Sequence, residues 1–422
     1  MTRFLYGLAW LVLAPLAVLR LAWRSRRQSG YLAHLAERFG TYPPVSPARR
    51  IWIHAVSVGE TRAAAPLIAA LACSHPGHRI LLTHMTPTGR AAGAGHFEGR
   101  VDQAWLPYDR GFAARRFLAH YRPELGIILE TEIWPRLLEE CARARVPVVL
   151  ANARLSARSA RRYARFPALA RWAFSNLSGI AAQTQADAER FVALGAHGVA
   201  VTGNVKFDLA VPDAMRALGH EFRSRFGAER RVWVAGSTRE GEEALLLDAF
   251  AQLPASPDVV LVIVPRHPQR FDEVAAMAAA RGFATARRSD AGPASTQIRV
   301  VVGDSMGEML AYYAAADVVI MGGSLLAFGS QNLIEACALG KPVIVGPHTY
   351  NFEEAAESAI HAGAAVRVKD AREALEFAAR LTRDEERRLA MGGKGRAFVE
   401  AHRGAVGRLV AWLGEVAGER AS

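Results

Sequence analysis

The segment IWIHAVSVGET at residues 51–61 decides the fold: an apolar strand ends at His54, a short turn follows, and a helix opens around Glu60. Beyond it, short apolar runs alternate with amphipathic stretches, which is typical of parallel strands connected by helices. The same pattern restarts at Arg231. We therefore predict an α/β fold of two doubly wound domains, joined near residues 206–212 and enclosing a cleft, with the chemistry at the carboxyl ends of the strands.

The apolar runs give definite boundaries. The predicted strands are Ile51–His54, Arg79–Thr83, Gln103–Leu106, Leu125–Leu129, Val146–Leu150, Gly179–Ala182, Ala200–Thr202, Arg231–Ala235, Val259–Val264, Ile298–Val302, Asp317–Met321 and Pro342–Val345. One long final helix is expected at residues 385–416, packed back on the first domain.

Composition limits the function classes. The chain has 422 residues, 51% of them apolar, with a formal net charge of +12. This charge favours an anionic partner, but the arginines are scattered among alanines and are not interleaved with aromatic residues, so we expect no nucleic-acid binding. The cysteines Cys73, Cys141 and Cys337 are far apart, which is neither a disulfide framework nor a metal-ligand spacing, and a reducing compartment fits best.

The N-terminus predicts a membrane-anchoring helix at residues 1–27. Residues 4–19 carry no charge, and extension past Arg20 gives about the length that crosses a hydrocarbon core. Pro15 and Arg20 leave open whether the helix spans the bilayer or is only embedded in it. A cleaved signal peptide is the alternative, although no small-residue cleavage site follows. The arginines within residues 24–27 predict that the body lies in the cytoplasm.

Glu60 is the first candidate catalytic residue. It follows the first strand and lies in the first turn of a helix, at the mouth of the expected cleft. A carboxylate there can take a proton from an attacking hydroxyl. The structural alternative is that Glu60 only complements the helix dipole, and the two interpretations are balanced at this point.

Glu130 and Glu132 follow the apolar strand that ends at Leu129. They could bind hydroxyl groups or hold the first base in position. The alternative is that Glu132 caps the helix that begins at Pro135.

In the second half, Gly236 and Ser237 follow a strand, and Ser237-x-x-Glu240 predicts a capping box whose free amides could bind a phosphate or carboxylate. After the next strand, Arg266 and His267 stand in a turn stiffened by prolines, where the guanidinium could grip a nucleotide phosphate.

Two further loops complete the candidate site. Ser305, Met306 and Gly307 follow another strand, and Ser305-x-x-Glu308 predicts a second capping box. The glycine loop with Gly323 and Ser324 allows a ligand to approach the backbone. A short helix then presents Asn332 and Glu335 at helical spacing, and a carboxylate so placed can accept both ribose hydroxyls. Dinucleotide, Walker A, zincin and α/β-hydrolase motifs are absent from these positions.

The assembled motifs resemble those of the 3-deoxy-D-manno-octulosonic acid (Kdo) transferases of lipopolysaccharide assembly, which have the GT-B fold of two Rossmann-like domains facing a central cleft. The resemblance covers nearly the whole chain and rests on residues 54–60, 107–109, 130–135, 152–156, 203–208, 235–240, 265–268 and 346–352. Many relatives read GGHNPLEP where residues 329–336 read GSQNLIEA, and Asn332 and Glu335 keep their spacing.

The resemblance implies CMP-Kdo as donor, a lipid A precursor (lipid IVA) as acceptor, inversion at the anomeric carbon, and no metal or other cofactor. It implies that Glu60 is the general base, that Glu130 and Glu132 lie near the reacting centre, and that the candidate residues of the second half bind the donor. It also implies an anchor at residues 1–27 on the anionic bacterial inner membrane, an acceptor domain at 28–207, a CMP-sugar domain at 208–395 and a returning helix at 396–422.

Two other functions remain open. A UDP-sugar transferase or epimerase would share the fold, and competition between CMP and UDP would separate it from a CMP-sugar enzyme. A membrane-anchored binding module without catalysis would yield no product from any donor.

Overall fold

The computed structural model describes residues 2–26, 30–290, 292, 295 and 297–418. The chain forms two compact units. The N-terminal unit runs to Asp208 and resumes at Gly404, and the C-terminal unit comprises Leu209–Arg403.

The N-terminal unit contains a seven-stranded, entirely parallel sheet in the order β3-β2-β1-β4-β5-β6-β7. Its strands are β1 Arg49–His54, β2 His78–His84, β3 Asp102–Trp105, β4 Pro123–Leu129, β5 Val148–Ala153, β6 Gly179–Ala182 and β7 Val199–Val201. Its helices are α1 Thr2–Ser25, α2 Val58–Ala63, α3 Ala65–Ser74, α4 Pro87–Phe97, α5 Gly111–Tyr121, α6 Pro135–Arg143, α7 Ala157–Ala164, α8 Pro167–Phe174 and α9 Gln185–Ala193, with 3₁₀ turns at Leu35–Phe39 and Val205–Asp208.

The C-terminal unit repeats this architecture with a parallel sheet in the order β10-β11-β9-β8-β12-β13-β14. Its strands are β8 Arg231–Thr238, β9 Val259–Pro265, β10 Thr285–Arg287, β11 Val300–Val302, β12 Val318–Met321, β13 Val343–Val345 and β14 Ala365–Arg367. Its helices are α10 Asp213–Phe226, α11 Glu242–Gln252, α12 Phe271–Ala280, α13 Met309–Ala315, α14 Ile334–Ala338, α15 Glu353–His361, α16 Ala371–Leu381 and α17 Glu385–Ala401, with a 3₁₀ turn at Pro268–Arg270. The chain then returns to the N-terminal unit as α18 Ala405–Gly418.

The prediction of a single final helix is wrong. The helix is interrupted between α17 and α18 at Gly404, whose φ of +87° belongs to the left-handed region. Asp208 accepts hydrogen bonds from the backbone amides of Gly404 and Val406 at 2.6 and 2.5 Å, and so supplies the cap that starts α18. The C-terminal unit therefore extends to Arg403, beyond the residue 395 expected from the sequence.

The strand orders show where the chain changes the side of each sheet to which it adds strands. The chain winds outward in one direction from β1 and in the other from β4, and likewise from β8 and β12. Loops that leave adjacent strands at such a switch point diverge and leave a crevice at the carboxyl edge, where open α/β sheets bind their ligands. The two pairs β1/β4 and β8/β12 are therefore the places to look for the site in each unit.

Helix α1 is the one helix in the described part of the chain that is long and apolar enough to cross a membrane. An N-terminal signal sequence would meet the same criteria of length and composition.

Candidate active site

Glu60 lies in the first turn of α2, which follows β1 at the switch point of the N-terminal sheet. Ser57 is the N-cap of α2: its hydroxyl accepts from the Glu60 amide at 3.4 Å and donates to Glu60 Oε1 at 2.8 Å. The Val56 amide donates to Oε2 at 2.8 Å. Glu60 therefore takes part in a variant of the capping box, in which its carboxylate accepts from the Ser57 hydroxyl and from the amide before the N-cap, and these bonds fix the position of the carboxylate.

The surroundings also adjust the basicity of this carboxylate. Burial, and after it the negative charge of Glu130, raise the pKa of Glu60 to about 7 against the opposing effect of the two hydrogen bonds from Val56 and Ser57. A group with a pKa near the working pH is both frequently ionised and basic enough to accept a proton. A first-turn glutamate can complement a helix dipole without being buried beside a second carboxylate. Burial next to Glu130 therefore favours the catalytic interpretation of Glu60.

Glu130 stands directly after β4, on the other side of the switch point. Its φ of +59° is left-handed, a conformation that costs a non-glycine residue about 1–3 kcal/mol and is concentrated at functional sites. Lys206 Nζ lies 2.6 Å from Glu130 Oε1. This ion pair partly neutralises the carboxylate that acts on Glu60.

Glu132 belongs to the same acidic group. Burial, followed by the charge of Glu130, raises its pKa to about 6. The alternative that Glu132 caps α6 is wrong, because the first amides of α6, those of Arg136 and Leu137, donate to Asp109 at 3.1 and 2.7 Å. The N-terminal unit thus brings the three predicted carboxylates to one edge of the sheet.

The ion pair predicts opposite pH shifts for two substitutions. Glu130→Gln removes a negative charge and should lower the pKa of Glu60, moving the acidic limb of the kcat/KM profile to lower pH. Lys206→Met removes the compensating cation and should move that limb to higher pH. Steady-state rates across the pH range test this, and equal shifts in one direction for both variants would contradict the coupling.

In the C-terminal unit, Gly236 and Ser237 lie in the last residues of β8, next to the loop that leaves β12. The backbones meet closely here: a Cβ on Gly322 would stand 2.4 Å from the Ser237 carbonyl oxygen. Ser237 has a φ of +56°. Only a residue without a side chain fits at position 322, which explains why a glycine opens this loop.

The prediction that Ser237 and Glu240 form a capping box is wrong. β8 continues to Thr238, and α11 begins only at Glu242, after Gly241 with a φ of +92°. The second predicted capping box is also wrong, because α13 begins at Met309 without a side-chain cap and the Ser305 hydroxyl instead lies 2.7 Å from that of Tyr312.

A buried glutamate that the sequence analysis missed holds the glycine loop. Glu242 is 0% exposed. Its Oε2 accepts from the amides of Gly323 at 2.6 Å and Arg239 at 2.8 Å, and its Oε1 accepts from those of Leu325 at 2.9 Å and Leu326 at 3.3 Å. One side chain thus ties the β8 loop to the β12 loop.

Gly323 and Ser324 are part of this framework. The Gly323 amide is bonded to Glu242, and Ser324 is fully buried, with its hydroxyl donating to the Met321 carbonyl and accepting from the Gly346 amide at 2.8 Å. Their polar groups therefore shape the loop, and binding of substrate at Gly323 and Ser324 stays a prediction.

Arg266 and His267 leave β9 at the same edge, beside β8. The Arg266 amide donates to the Thr238 carbonyl at 2.9 Å. Partial burial, then the charges of Arg239, Arg266 and Arg270, lower the pKa of His267. Three guanidinium groups thus act on one imidazole, and this concentration of positive charge is suited to a phosphate.

The remaining candidates lie in two segments of the C-terminal unit. Met306 and Gly307 are exposed in the loop after β11, and Gly307 has a φ of +86°. At the start of α14, Asn332 Nδ2 donates to Glu335 Oε1 at 3.2 Å while its Oδ1 accepts from the Ile334 amide at 3.2 Å. Asn332 thereby orients the carboxylate of Glu335.

All the predicted site residues thus lie at or just beyond the carboxyl ends of strands, or in the segment that opens α14. The important residues that the sequence analysis left out as site members are Lys206, Arg239 and Glu242. Lys206 and Arg239 stand inside motifs that were recognised, whereas Glu242 reads as an ordinary first-turn acid.

Comparison with known proteins identifies the family. Residues 33–209 match the family model described as 3-Deoxy-D-manno-octulosonic-acid transferase (kdotransferase), and residues 239–398 match that of the glycosyl transferases group 1. The chain is 46% identical to the 3-deoxy-D-manno-octulosonic acid transferase of Bordetella pertussis, over 98% of this chain and 100% of that protein. The chain belongs to the Kdo transferase family. The corresponding enzyme of Haemophilus influenzae is 36% identical over 97% of both chains.

Solved structures agree on the fold. The UDP-GlcNAc 2-epimerase from Neisseria meningitidis superimposes with a TM-score of 0.59 over 86% of this chain and 99% of that one, at 16% identity. Anabaena Alr3699/HepE in complex with UDP-glucose gives a TM-score of 0.57 over 87% and 99%, also at 16% identity. With the family membership, this makes the chain a Kdo transferase of the GT-B fold with two parallel α/β domains.

Proposed function

We propose that this Kdo transferase moves Kdo from CMP-Kdo to lipid IVA, with inversion at the anomeric carbon and with Glu60 as general base. The observation that carries the proposal is the state of Glu60, a carboxylate held by Ser57 and Val56 at a switch point, with its pKa raised to about 7 by burial and by Glu130.

The proposed reaction is a single displacement. The Glu60 carboxylate accepts the proton of an acceptor hydroxyl as its oxygen bonds to the anomeric carbon of Kdo. The bond from that carbon to the phosphate oxygen breaks, and CMP leaves with the electron pair. Attack opposite the leaving group inverts the configuration, and a base on the acceptor side is what such a reaction requires.

The C-terminal unit is proposed to bind the donor. The Glu335 carboxylate, oriented by Asn332, would accept hydrogen bonds from the ribose hydroxyls. Arg266 and the amides around Ser237 and Gly236 would hold the phosphate and stabilise the charge that develops on the departing CMP. Within the described residues no group of three or more His, Cys, Asp or Glu side chains could hold a metal, and catalysis without one stays a prediction.

The N-terminal unit is proposed to receive the acceptor, since it carries the base. Lipid A precursors are anionic, and the net charge of +12 favours such a substrate and an anionic membrane surface. We place the enzyme at the cytoplasmic face of a bacterial inner membrane, held there by α1.

One incubation tests donor, acceptor and stereochemistry together. The full-length enzyme is supplied with CMP-Kdo and tetra-acylated lipid IVA, the products are weighed by mass spectrometry, and the anomeric configuration of the new linkage is read by NMR. We expect Kdo-bearing lipid with inverted configuration, and protection of the enzyme against thermal unfolding by CMP. Retained configuration would refute the single displacement, and equal protection by UDP would refute the nucleotide assignment.

A further inference from the structure

Helix α1 contacts the rest of the N-terminal unit at points near both of its ends and near its middle. Among its described side chains, the less exposed residues follow one stripe at helical spacing: Tyr6, Gly7, Trp10, Ala14, Ala17, Val18, Leu21 and Ser25. Intervals of three and four residues place side chains on one face of a helix. The contact surface therefore runs from the first turn of α1 to the last.

The first turns of α1 are held by polar contacts. The Tyr6 hydroxyl donates to Asp109 Oδ2 at 2.5 Å, and Asp109 is 1% exposed and also caps α6. Arg3 pairs with Glu139 at 2.9 Å, and Arg136 Nη2 donates to the Arg3 carbonyl at 3.0 Å. The amino end of α1 is thus attached to the body of the enzyme.

The other end of α1 is held by apolar contacts. Leu21 is 8% exposed and packs with Tyr31 and Tyr108. Near the middle, the rings of Trp10 and Tyr108 are 5.9 Å apart. Both ends of the helix therefore contact the same compact unit.

These contacts are incompatible with a transmembrane span. Tyr6 and Leu21 are 15 residues apart, about 22 Å along a helix, so in a spanning helix most of a hydrocarbon core of about 30 Å separates them. Asp109 and Tyr108 are adjacent in one folded unit and cannot lie on both sides of a bilayer.

The outward face of α1 is apolar and basic. Its exposed large side chains are Leu5, Leu8, Leu13, Leu16, Leu19 and Trp23. Arg20, Arg24 and Arg26 are exposed at its carboxyl end, and α1 contains no acidic residue. Leucines beside arginines match a surface with acyl chains below anionic headgroups.

A second basic element lies next to α1. Trp172 of α8 contacts the Tyr6 ring edge-on at 5.6 Å, and α7 packs on α8. Between α7 and α8, Phe166 is 65% exposed. The neighbouring arginines Arg158, Arg161, Arg162 and Arg165 are exposed and form no ion pair within the described residues.

We propose that α1 lies flat in the headgroup region of an anionic bilayer, docked lengthwise on the N-terminal unit, and that the bilayer covers its leucine face. The enzyme is thus attached to one leaflet and does not cross the membrane. This inference rests on the membrane location proposed above and replaces the spanning alternative.

Depth measurements distinguish the two geometries. Leu5→Cys, Leu13→Cys and Leu19→Cys are made singly in a Cys73→Ser background, where Cys141 and Cys337 are buried, and the thiols carry an environment-sensitive fluorophore. The full-length enzyme is bound to phosphatidylcholine–phosphatidylglycerol vesicles containing lipids spin-labelled at different depths. Equal, shallow depths at the three positions are expected. A maximum depth at Leu13 would overturn the proposal in favour of a span.

Binding measurements test which partner covers the face. Leu8→Glu combined with Leu16→Glu should abolish vesicle binding, whereas Leu389→Glu, an equally exposed leucine on α17, should leave it unchanged. Arg20→Gln and Arg24→Gln should each weaken binding to phosphatidylglycerol-containing vesicles about fivefold, with little effect on pure phosphatidylcholine. If the glutamates instead dissociate a dimer and leave vesicle binding intact, a second copy covers the face and the proposal is wrong.

These readouts need neither donor nor acceptor. Equal, shallow depths in an enzyme that transfers no Kdo would therefore contradict the proposed reaction but support the flat orientation of α1. A spanning helix in an active enzyme would contradict the flat orientation but not the reaction.

Discussion

Glu60→Gln is expected to lower kcat by about 10²- to 10⁴-fold, the usual contribution of a positioned general base. Glutamine keeps the shape of the side chain and can still accept a hydrogen bond from the Val56 amide, but it cannot take a proton. Folding and CMP binding should therefore be retained. Rates at saturating substrate, with circular dichroism and nucleotide binding as checks, measure the effect.

The pH dependence of the rate tests whether the loss of kcat in Glu60→Gln comes from this carboxylate. Because burial and Glu130 raise the pKa of Glu60 to about 7, the base is protonated below that pH, and the wild-type rate should rise as the pH increases through neutrality. The Glu60→Gln variant should lose this rise. Glu124→Gln is the matched control, since Glu124 lies at the opposite end of β4 and pairs with Arg49 on the surface. A Glu60→Gln enzyme with normal rates would refute the mechanism.

The sequence predicted most of the sheet correctly, because buried parallel strands are continuous apolar runs. Strand β6 was predicted with both ends correct, and β9 within one residue. Strands β10 and β14 were missed, since each has three residues and neither is fully buried. Such short edge strands exist only through pairing with a neighbour, which a single segment does not reveal.

The capping boxes show where local pattern ceases to be sufficient. Ser57 and Ser237 are both followed three residues later by glutamate. Ser57 has the extended backbone of an N-cap, and α2 begins at the next residue. Ser237 instead has a left-handed backbone conformation and lies beside the β12 loop. The same four-residue pattern thus has two outcomes, and contacts remote in sequence decide between them.

Glu242→Gln is expected to destabilise the C-terminal unit by about 3–5 kcal/mol. Each oxygen of the Glu242 carboxylate accepts two backbone amides. A glutamine presents one oxygen and one NH₂ group, so two buried amides would face a donor and lose their acceptor. The partners at positions 323–326 lie more than 80 residues away in sequence. The sequence around Glu242 therefore does not reveal its role.

Hydrogen exchange followed by mass spectrometry measures this effect within one unit of the intact chain. Peptides from β8 and from the loop at residues 322–326 should exchange faster in Glu242→Gln, and CMP binding should weaken because the loop next to Ser237 loses its tie. Glu240→Gln is the control, since Glu240 is exposed two residues earlier. Equal exchange in the two variants would mean that the glycine loop holds its shape without Glu242, and the donor site would then owe its geometry to the Ser324 and Gly346 contacts alone.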